Sequence, residues 1–509
     1  MTSQSTSLPQ GQGSPFSLDC RRAGVLLHIT SLPGRWCSGD MGAEAYRFVE
    51  FLAGAGQTVW QVLPLGPTHS DGSPYNCFSS QAGNVMLISP ELMVEAGWLS
   101  EADLDAAAQS GGDDPRYVRS TLISKAFREF SSERHESEHA AFAAFIETQQ
   151  QWLEDYALFW VLKQEHRGGS WQSWPEPLRE RCPDALAEIK EQLADELEQV
   201  RFEQYVFFRQ WHALKQFANE RGVSLFGDMP IFVAYDSADV WTHRNCFELD
   251  EEGRPRVVAG VPPDYFSATG QRWGNPLYNW PHMVADGFRW WIARMETQLQ
   301  LYDLIRIDHF RGFEAYWEIP ASEETAINGQ WIKAPGDELF AALRDRFGAL
   351  PLVAEDLGQI SHEVHELRLK YALPGMKILQ FAFDGGADNP YLPHNHECSS
   401  VVYTGTHDND TTLGWYNALS EAQHHHIGDY LGCAPDSMPW SLIRSAYVSV
   451  ANLCVIPMQD ILMLDGAHRM NVPGSCSGNW QWRFQWTQVN DGVAGRLRRM
   501  VDLYGRAGS

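Results

Sequence analysis

"YDLIRIDHFRG", residues 302–312, is the stretch from which the fold can be read. Leu304, Ile305 and Ile307 make an apolar run of strand length, into which Arg306, Asp308, His309 and Arg311 are set. Charges in a buried strand are costly unless paired or used. Side chains alternate across a strand, so Ile305 and Ile307 turn to one face while Arg306 and Asp308 share the other. The run reads as a core strand whose end carries chemistry.

The pattern recurs along the chain. Eight apolar segments of strand length are followed by polar or Gly/Pro loops and, usually, by helical periodicity: "GVLLHIT" (24–30), "TVWQVLP" (58–64), "SLFGDMP" (224–230), "LIRID" (304–308), "PLVAED" (351–356), "MKILQFAF" (376–383), "VVYTGT" (401–406) and "NLCVIP" (452–457). Strands alternating with helices pair in parallel, and eight of them predict an α/β fold, a (β/α)8 TIM barrel buried on both faces. The spacing predicts a polar, disordered tail over 1–20, the first two barrel strands within 21–65, an inserted and mainly helical subdomain over 66–222, and the rest of the barrel over 223–509. A loop excursion over 231–302 is expected to cover the site.

Composition narrows the partners. With 39 Lys and Arg against 65 Asp and Glu, the net charge of -26 speaks against nucleic acid or an anionic membrane surface, both of which call for basic patches. The N-terminal residues have neither a basic n-region nor an apolar h-region, and no apolar run reaches membrane-spanning length. Nine cysteines without CxxC spacing suggest free thiols, so the expected location is the cytoplasm. The 20 Trp residues stand out. Several sit in loop contexts, "TGQRWGNPLYNW" (269–280) and "GNWQWRFQW" (478–486), where exposed rings suit the apolar faces of sugars.

Catalytic groups of such barrels come from the C-terminal strand ends. Asp228, Asp308 and Glu355 each fall on the inward face there, and "THDND" supplies His407, Asp408 and Asp410. Taken singly, such a carboxylate is a helix cap or an ion-pair partner; capping does not explain four of them facing one mouth. A pair of carboxylates serves retaining glycosyl chemistry, one attacking the anomeric carbon and the other donating a proton to the leaving oxygen. Asp308 beside Arg306 suits the nucleophile, because a guanidinium favours the ionised form. Glu355 suits the acid, since nearby like charge holds its proton. Asp408, with His407, could contact substrate hydroxyls. A metal-dependent hydrolase would also use His and Asp at strand ends, but the first strand offers a lone His28. "HHH" (424–426) lies in a polar helical stretch. A non-catalytic glucan-binding protein would need the aromatic loops without the inward carboxylates.

The motifs "DGSPYNCFSS", "LFGDMPIFVAYDSADVW", "VAGVPPDYFSATGQRWGNPLYNW", "RIDHFRGFEAYWEIP", "VAEDLG", "PGMKILQFAF" and "VVYTGTHDNDTTLGWY" resemble, in order over 21–503, those of the 4-alpha-glucanotransferases, also called amylomaltases. The resemblance implies a barrel with inserted subdomains and transfer of α-1,4-glucan segments between maltooligosaccharide donor and acceptor through a covalent glucosyl-enzyme, without metal or organic cofactor. A retaining α-glucan hydrolase of the α-amylase type is the alternative. It also implies that Asp308 is the nucleophile, Glu355 the acid/base and Asp408 the third carboxylate. Arg306, His309 and His407 would surround the innermost sugar, with Asp228 a further polar contact. Tyr75 and Trp273 would line the groove, Trp273 on a covering loop over 262–275 with Tyr265 and Phe266, and Asn479 and Trp480 are further candidates to bind the glucan there. Asn76, Cys77 and Val85 depart from the family's usual Gln, Ser and Pro, away from the reactive core.

Overall fold

All eight segments form strands of one parallel sheet. The computed structural model describes residues 17–109, 114–263, 267–432, 434, 437–475 and 477–508. Its strands are β1 (Arg22–Leu26), β2 (Val59–Gln61), β3 (Ser224–Met229), β4 (Val257–Val261), β5 (Gln271–Pro276), β6 (Leu304–Ile307), β7 (Ala315–Pro320), β8 (Gln330–Lys333), β9 (Leu352–Ala354), β10 (Gly375–Ile378), β11 (Ser400–Tyr403) and β12 (Leu453–Pro457). The large sheet runs β10-β11-β12-β1-β2-β3-β6-β9. Ala354 N–H donates to the Pro374 carbonyl (2.8 Å), which joins β9 to the residue ahead of β10 and closes the (β/α)8 barrel.

Burial on both faces explains why these runs are continuously apolar. Leu304 and Val353 point inward and pack with Leu26, Val59, Phe226 and Val401. Ile305, Ile307, Leu352 and Ala354 point outward into the core shared with the helices. The ladders are shorter than the apolar runs: "TVWQVLP" pairs only over Val59–Gln61, and Val62 and Leu63 beyond it are buried in the loop that follows. Gly227 has a packing reason, since a Cβ there would lie 2.3 Å from the Tyr302 ring.

Between β2 and β3 the chain is mainly helical, and it ends in the long helix Ala194–Glu220, whose Phe202, Val206 and Trp211 are buried. Trp211 Nε1 donates to the Leu301 carbonyl (2.8 Å), fixing this helix to the one that precedes β6. Lys163, on the helix Leu153–Glu165, is paired with Asp236 in the loop after β3. Many tryptophans are thus core: Trp60, Trp171, Trp211, Trp241 and Trp291 are fully buried. Of the tail expected over 1–20, residues 1–16 lie outside the described residues; Leu18 packs against the inner barrel cluster.

The structure adds an element that the sequence reading lacked. β5-β4-β7-β8 form an antiparallel sheet. β4 and β5 lie within the 231–302 excursion, and β7 and β8 follow β6 directly. This sheet carries Trp273 on one edge strand and Trp331 on the other. Among the described residues, no helix is long and apolar enough to cross a membrane.

Candidate active site

Parallel register brings the charged residues together. Asp228 on β3 lies opposite Arg306 on β6, and Ile307 opposite Ala354 on β9, so the following residues, Asp308 and Glu355, leave adjacent strands at one level. Arg306 is the hub. Its Nη1 donates to both Asp228 oxygens (2.9 and 2.7 Å) and its Nη2 to Asp308 Oδ1 (2.7 Å). The Tyr75 hydroxyl donates to Asp228 Oδ2 (2.6 Å). Burial opposes the charge of Arg306, yet Asp228 and Asp308 outweigh it and keep the guanidinium protonated far above its ordinary range. Asp228 and Arg306 are almost fully buried, whereas Asp308 remains 30% exposed at the mouth. The carboxylate with solvent access is the one that ends its strand.

Glu355 is held by backbone. His309 N–H donates to its Oε2 (2.7 Å) and Leu357 N–H to its Oε1 (2.9 Å). His309 adopts φ 50° and ψ 50°, a left-handed conformation uncommon outside glycine. That turn aims the peptide beside Asp308 at the second carboxylate. Burial and the charge of Asp308 push the Glu355 pKa up to about 7, against the pull of Arg306 and the two N–H groups. Burial lowers His309 to about 4 despite Asp308, so its ring is neutral near pH 7. Trp273 stands edge-on to that ring, with centroids 4.9 Å apart at 84°, and is 39% exposed.

A second group forms the opposite rim. His407 stacks on Tyr75 (5.1 Å, 15°), and Trp480 leans on both rings. His407 Nε2 lies 3.3 Å from Asp408 Oδ1. Asp408 Oδ1 also accepts from Asn471 Nδ2 (2.6 Å), and its carbonyl accepts from Arg469 Nη2 (2.9 Å). Burial and the neighbouring His407 lower His28, beneath this rim, to about 3. Asn471 and Arg469 were not singled out in the sequence, where "HRMN" looks like ordinary loop; no local signal ties them to residues some sixty positions earlier.

Asn479 is placed apart from these contacts. Its side chain accepts from Val472 N–H (3.0 Å) and donates to the Ser475 carbonyl (3.1 Å), bracing its own loop. Of the 262–275 loop, residues 264–266, including Tyr265 and Phe266, lie outside the described residues. The histidines at 424–426 do not converge: His424 Nε2 contacts the Tyr416 carbonyl and His425 Nδ1 the Glu421 carbonyl. Among the described residues, no three His, Cys, Asp or Glu side chains form a metal-ligating group.

A (β/α)8 barrel with clustered carboxylates at the C-terminal mouth is the layout of a barrel enzyme, and paired carboxyls of this kind suit retaining glycosyl chemistry. The family model described as 4-alpha-glucanotransferase, glycoside hydrolase family 77, matches residues 27–488. The chain is 50% identical over 493 residues to a 4-alpha-glucanotransferase of Thermus thermophilus, covering 95% of this chain and 98% of that one. It is 48% identical over 498 residues to one from Synechocystis, covering 96% and 99%. Among solved structures, an amylomaltase from Streptococcus agalactiae in complex with acarbose superposes with a TM-score of 0.91 at 38% identity, over 96% of this chain and 100% of that one. The chain belongs to the 4-alpha-glucanotransferase family and is an enzyme.

Proposed function

We propose that the chain moves α-1,4-glucan segments from one maltooligosaccharide to another by retaining double displacement. The observation that carries this reading is the contrast between two neighbouring carboxyls: Asp308 is paired with a permanently charged guanidinium, and Glu355 keeps its proton to about pH 7. Adjacent strands lie about 4.8 Å apart, and retaining enzymes place their carboxyls about 5–5.5 Å apart.

In the first step an Asp308 oxygen attacks the anomeric carbon while Glu355 gives its proton to the departing glycosidic oxygen, releasing the leaving chain with a free 4-hydroxyl. In the second, Glu355 takes a proton from the acceptor's 4-hydroxyl as that oxygen displaces Asp308. Asp408 and His407 contact hydroxyls of the innermost sugar and favour its oxocarbenium-like transition state, while Arg306 orients Asp308. Asp228, Tyr75 and His309 hold this arrangement, Trp273 covers the donor, and Asn479 lies on the outer rim. Transfer rather than hydrolysis follows if the covering loop excludes water. The amylomaltase relative crystallised in complex with acarbose supports a glucan ligand. Starch- or glycogen-derived oligosaccharides are the substrates this reading implies. The free cysteines of the described residues fit the cytoplasmic location kept with it.

Purified enzyme incubated with maltotriose tests the reading. A ladder of longer oligosaccharides together with glucose is expected; glucose and maltose alone would mean an α-glucan hydrolase. Asp308→Asn should abolish turnover with the fold intact, and retained turnover would remove Asp308 from the role of nucleophile.

A further inference from the structure

The loop that carries His407 and Asp408 begins at Thr404, immediately after β11, and ends where Thr412 opens the helix Thr412–Asn417. Both ends are bound to one side chain. Asp460, on the short helix Met458–Ile461 that follows β12, accepts from Thr404 Oγ1 (2.6 Å) and Thr412 Oγ1 (2.6 Å) on Oδ2 and from Thr412 N–H (2.7 Å) on Oδ1. It is 1% exposed. No cation pairs with it among the described residues.

An isolated buried carboxylate is an expensive way to fill space, and an apolar side chain would serve packing better. What it supplies instead is rigidity: three donors from the two ends of the loop converge on its two oxygens, and these bonds oppose the rise in its pKa that burial causes. β11 and β12 are hydrogen-bonded neighbours, so the carboxylate spans from one strand end to the loop of the next. The middle of the loop is braced separately, by Gln380 Nε2 donating to the Asp410 carbonyl (2.8 Å) and by Thr406 N–H donating to Asn409 Oδ1 (2.8 Å).

We propose that Asp460 is a positioning residue for the transfer reaction: by clamping Thr404 and Thr412 it sets where His407 and Asp408 stand against the sugar. Its three hydrogen bonds go to the loop ends rather than to the sugar-facing side chains, and its role rests on the reading of Asp408 as a substrate-side carboxylate. Thr404→Val removes one leg of the clamp and leaves Asp460 in place. With maltotriose, kcat should fall about 10-fold and KM change by less than about twofold, since misplacement is felt mainly in the transition state. Asp460→Ala should cost about 100-fold, and Asp460→Asn, which can still accept from Thr412 N–H, less.

Thr404→Val is then combined with Asp408→Asn and assayed with a maltosyl fluoride donor, on which slow variants still turn over. If the clamp acts through this loop, Thr404→Val costs less in the Asp408→Asn background than in the parent, with the remainder passing through His407. Full additivity, or parental kcat in folded Thr404→Val and Asp460→Ala proteins, overturns the proposal. Parental kcat in Asp408→Asn alone would instead overturn the role given to Asp408 and with it the basis of the clamp.

Discussion

Arg306 on β6 and Asp308, the first residue beyond its end, share a 2.7 Å ion pair, and the other arm of the guanidinium is fixed by Asp228 on the neighbouring strand. The fork geometry of the guanidinium makes this possible, because one planar group reaches both carboxylates at once. Arg306→Lys retains charge but cannot hold both partners. It should lower kcat by about 100-fold, and steady-state kinetics on maltotriose would check it. A loss confined to KM would mean that Arg306 binds sugar without orienting Asp308.

The raised pKa of Glu355 fixes the sign of the pH dependence. Its proton is needed for the first step, so kcat/KM should fall as pH rises through about 7. Stability moves the same way. The folded state holds this proton more tightly than the unfolded chain, whose Glu titrates near 4.5, so its contribution is whole below pH 4.5 and lost as pH rises through about 7. Glu355→Gln should flatten that part of the melting-temperature profile. Asp308→Asn removes the neighbouring negative charge and should move the Glu355 titration, followed by carboxyl NMR, downward. An unmoved titration would leave burial as its sole cause.

Trp273 stands against His309 on an edge strand of the small sheet, with 39% of the residue exposed. If it shields the glucosyl-enzyme from water, Trp273→Ala should raise the ratio of hydrolysis to transfer several-fold. Quantifying glucose release against ladder formation from maltotriose reads this directly. A constant ratio with a higher KM would make Trp273 a binding platform alone.

Lys163 is 3% exposed, paired with Asp236, and faces the Phe78 ring at 5.0 Å. Asp236 is 22% exposed and also accepts from Trp171 N–H (3.2 Å), so Lys163→Met leaves it partly satisfied and should cost about 1–3 kcal/mol. The melting temperature should drop by several degrees. Lys163→Met combined with Asp236→Asn should recover much of it, and equal losses in the single and double variants would show that the pair is not what stabilises this junction.

The barrel was legible because burial on both faces leaves a continuous apolar signature, and because alternation in "LIRID" and "PLVAED" assigns the inward face without knowledge of the partners. Arg306, Asp308 and Glu355 were legible for the same reason: a charge inside an apolar run is conspicuous. The small sheet was not, although "AYWEIP" has strand composition, because its edge strand Gln330–Lys333 is short and largely exposed and its pairing joins segments on either side of β6. Asp460 was hidden for another reason. In "MQDIL" it looks like a residue of a helical turn, and its three donors lie about fifty positions earlier. Short-range pattern shows where a side chain points; a hydrogen bond between distant segments leaves no such trace.

The first strand has its neighbours at opposite ends of the chain: β1 pairs with β2 on one side and with Leu453–Pro457 on the other. A nascent chain emerging from the ribosome therefore carries Asp308, Glu355 and Asp408 well before the sheet that presents them can close. Until β12 arrives, the sheet has open edges at β1 and β11, and Asp460 has not yet been made. Chain order thus places β12 and the Asp460 clamp after the residues they hold, so the part of the sheet that β12 joins can form only when nearly all of these strands have been made.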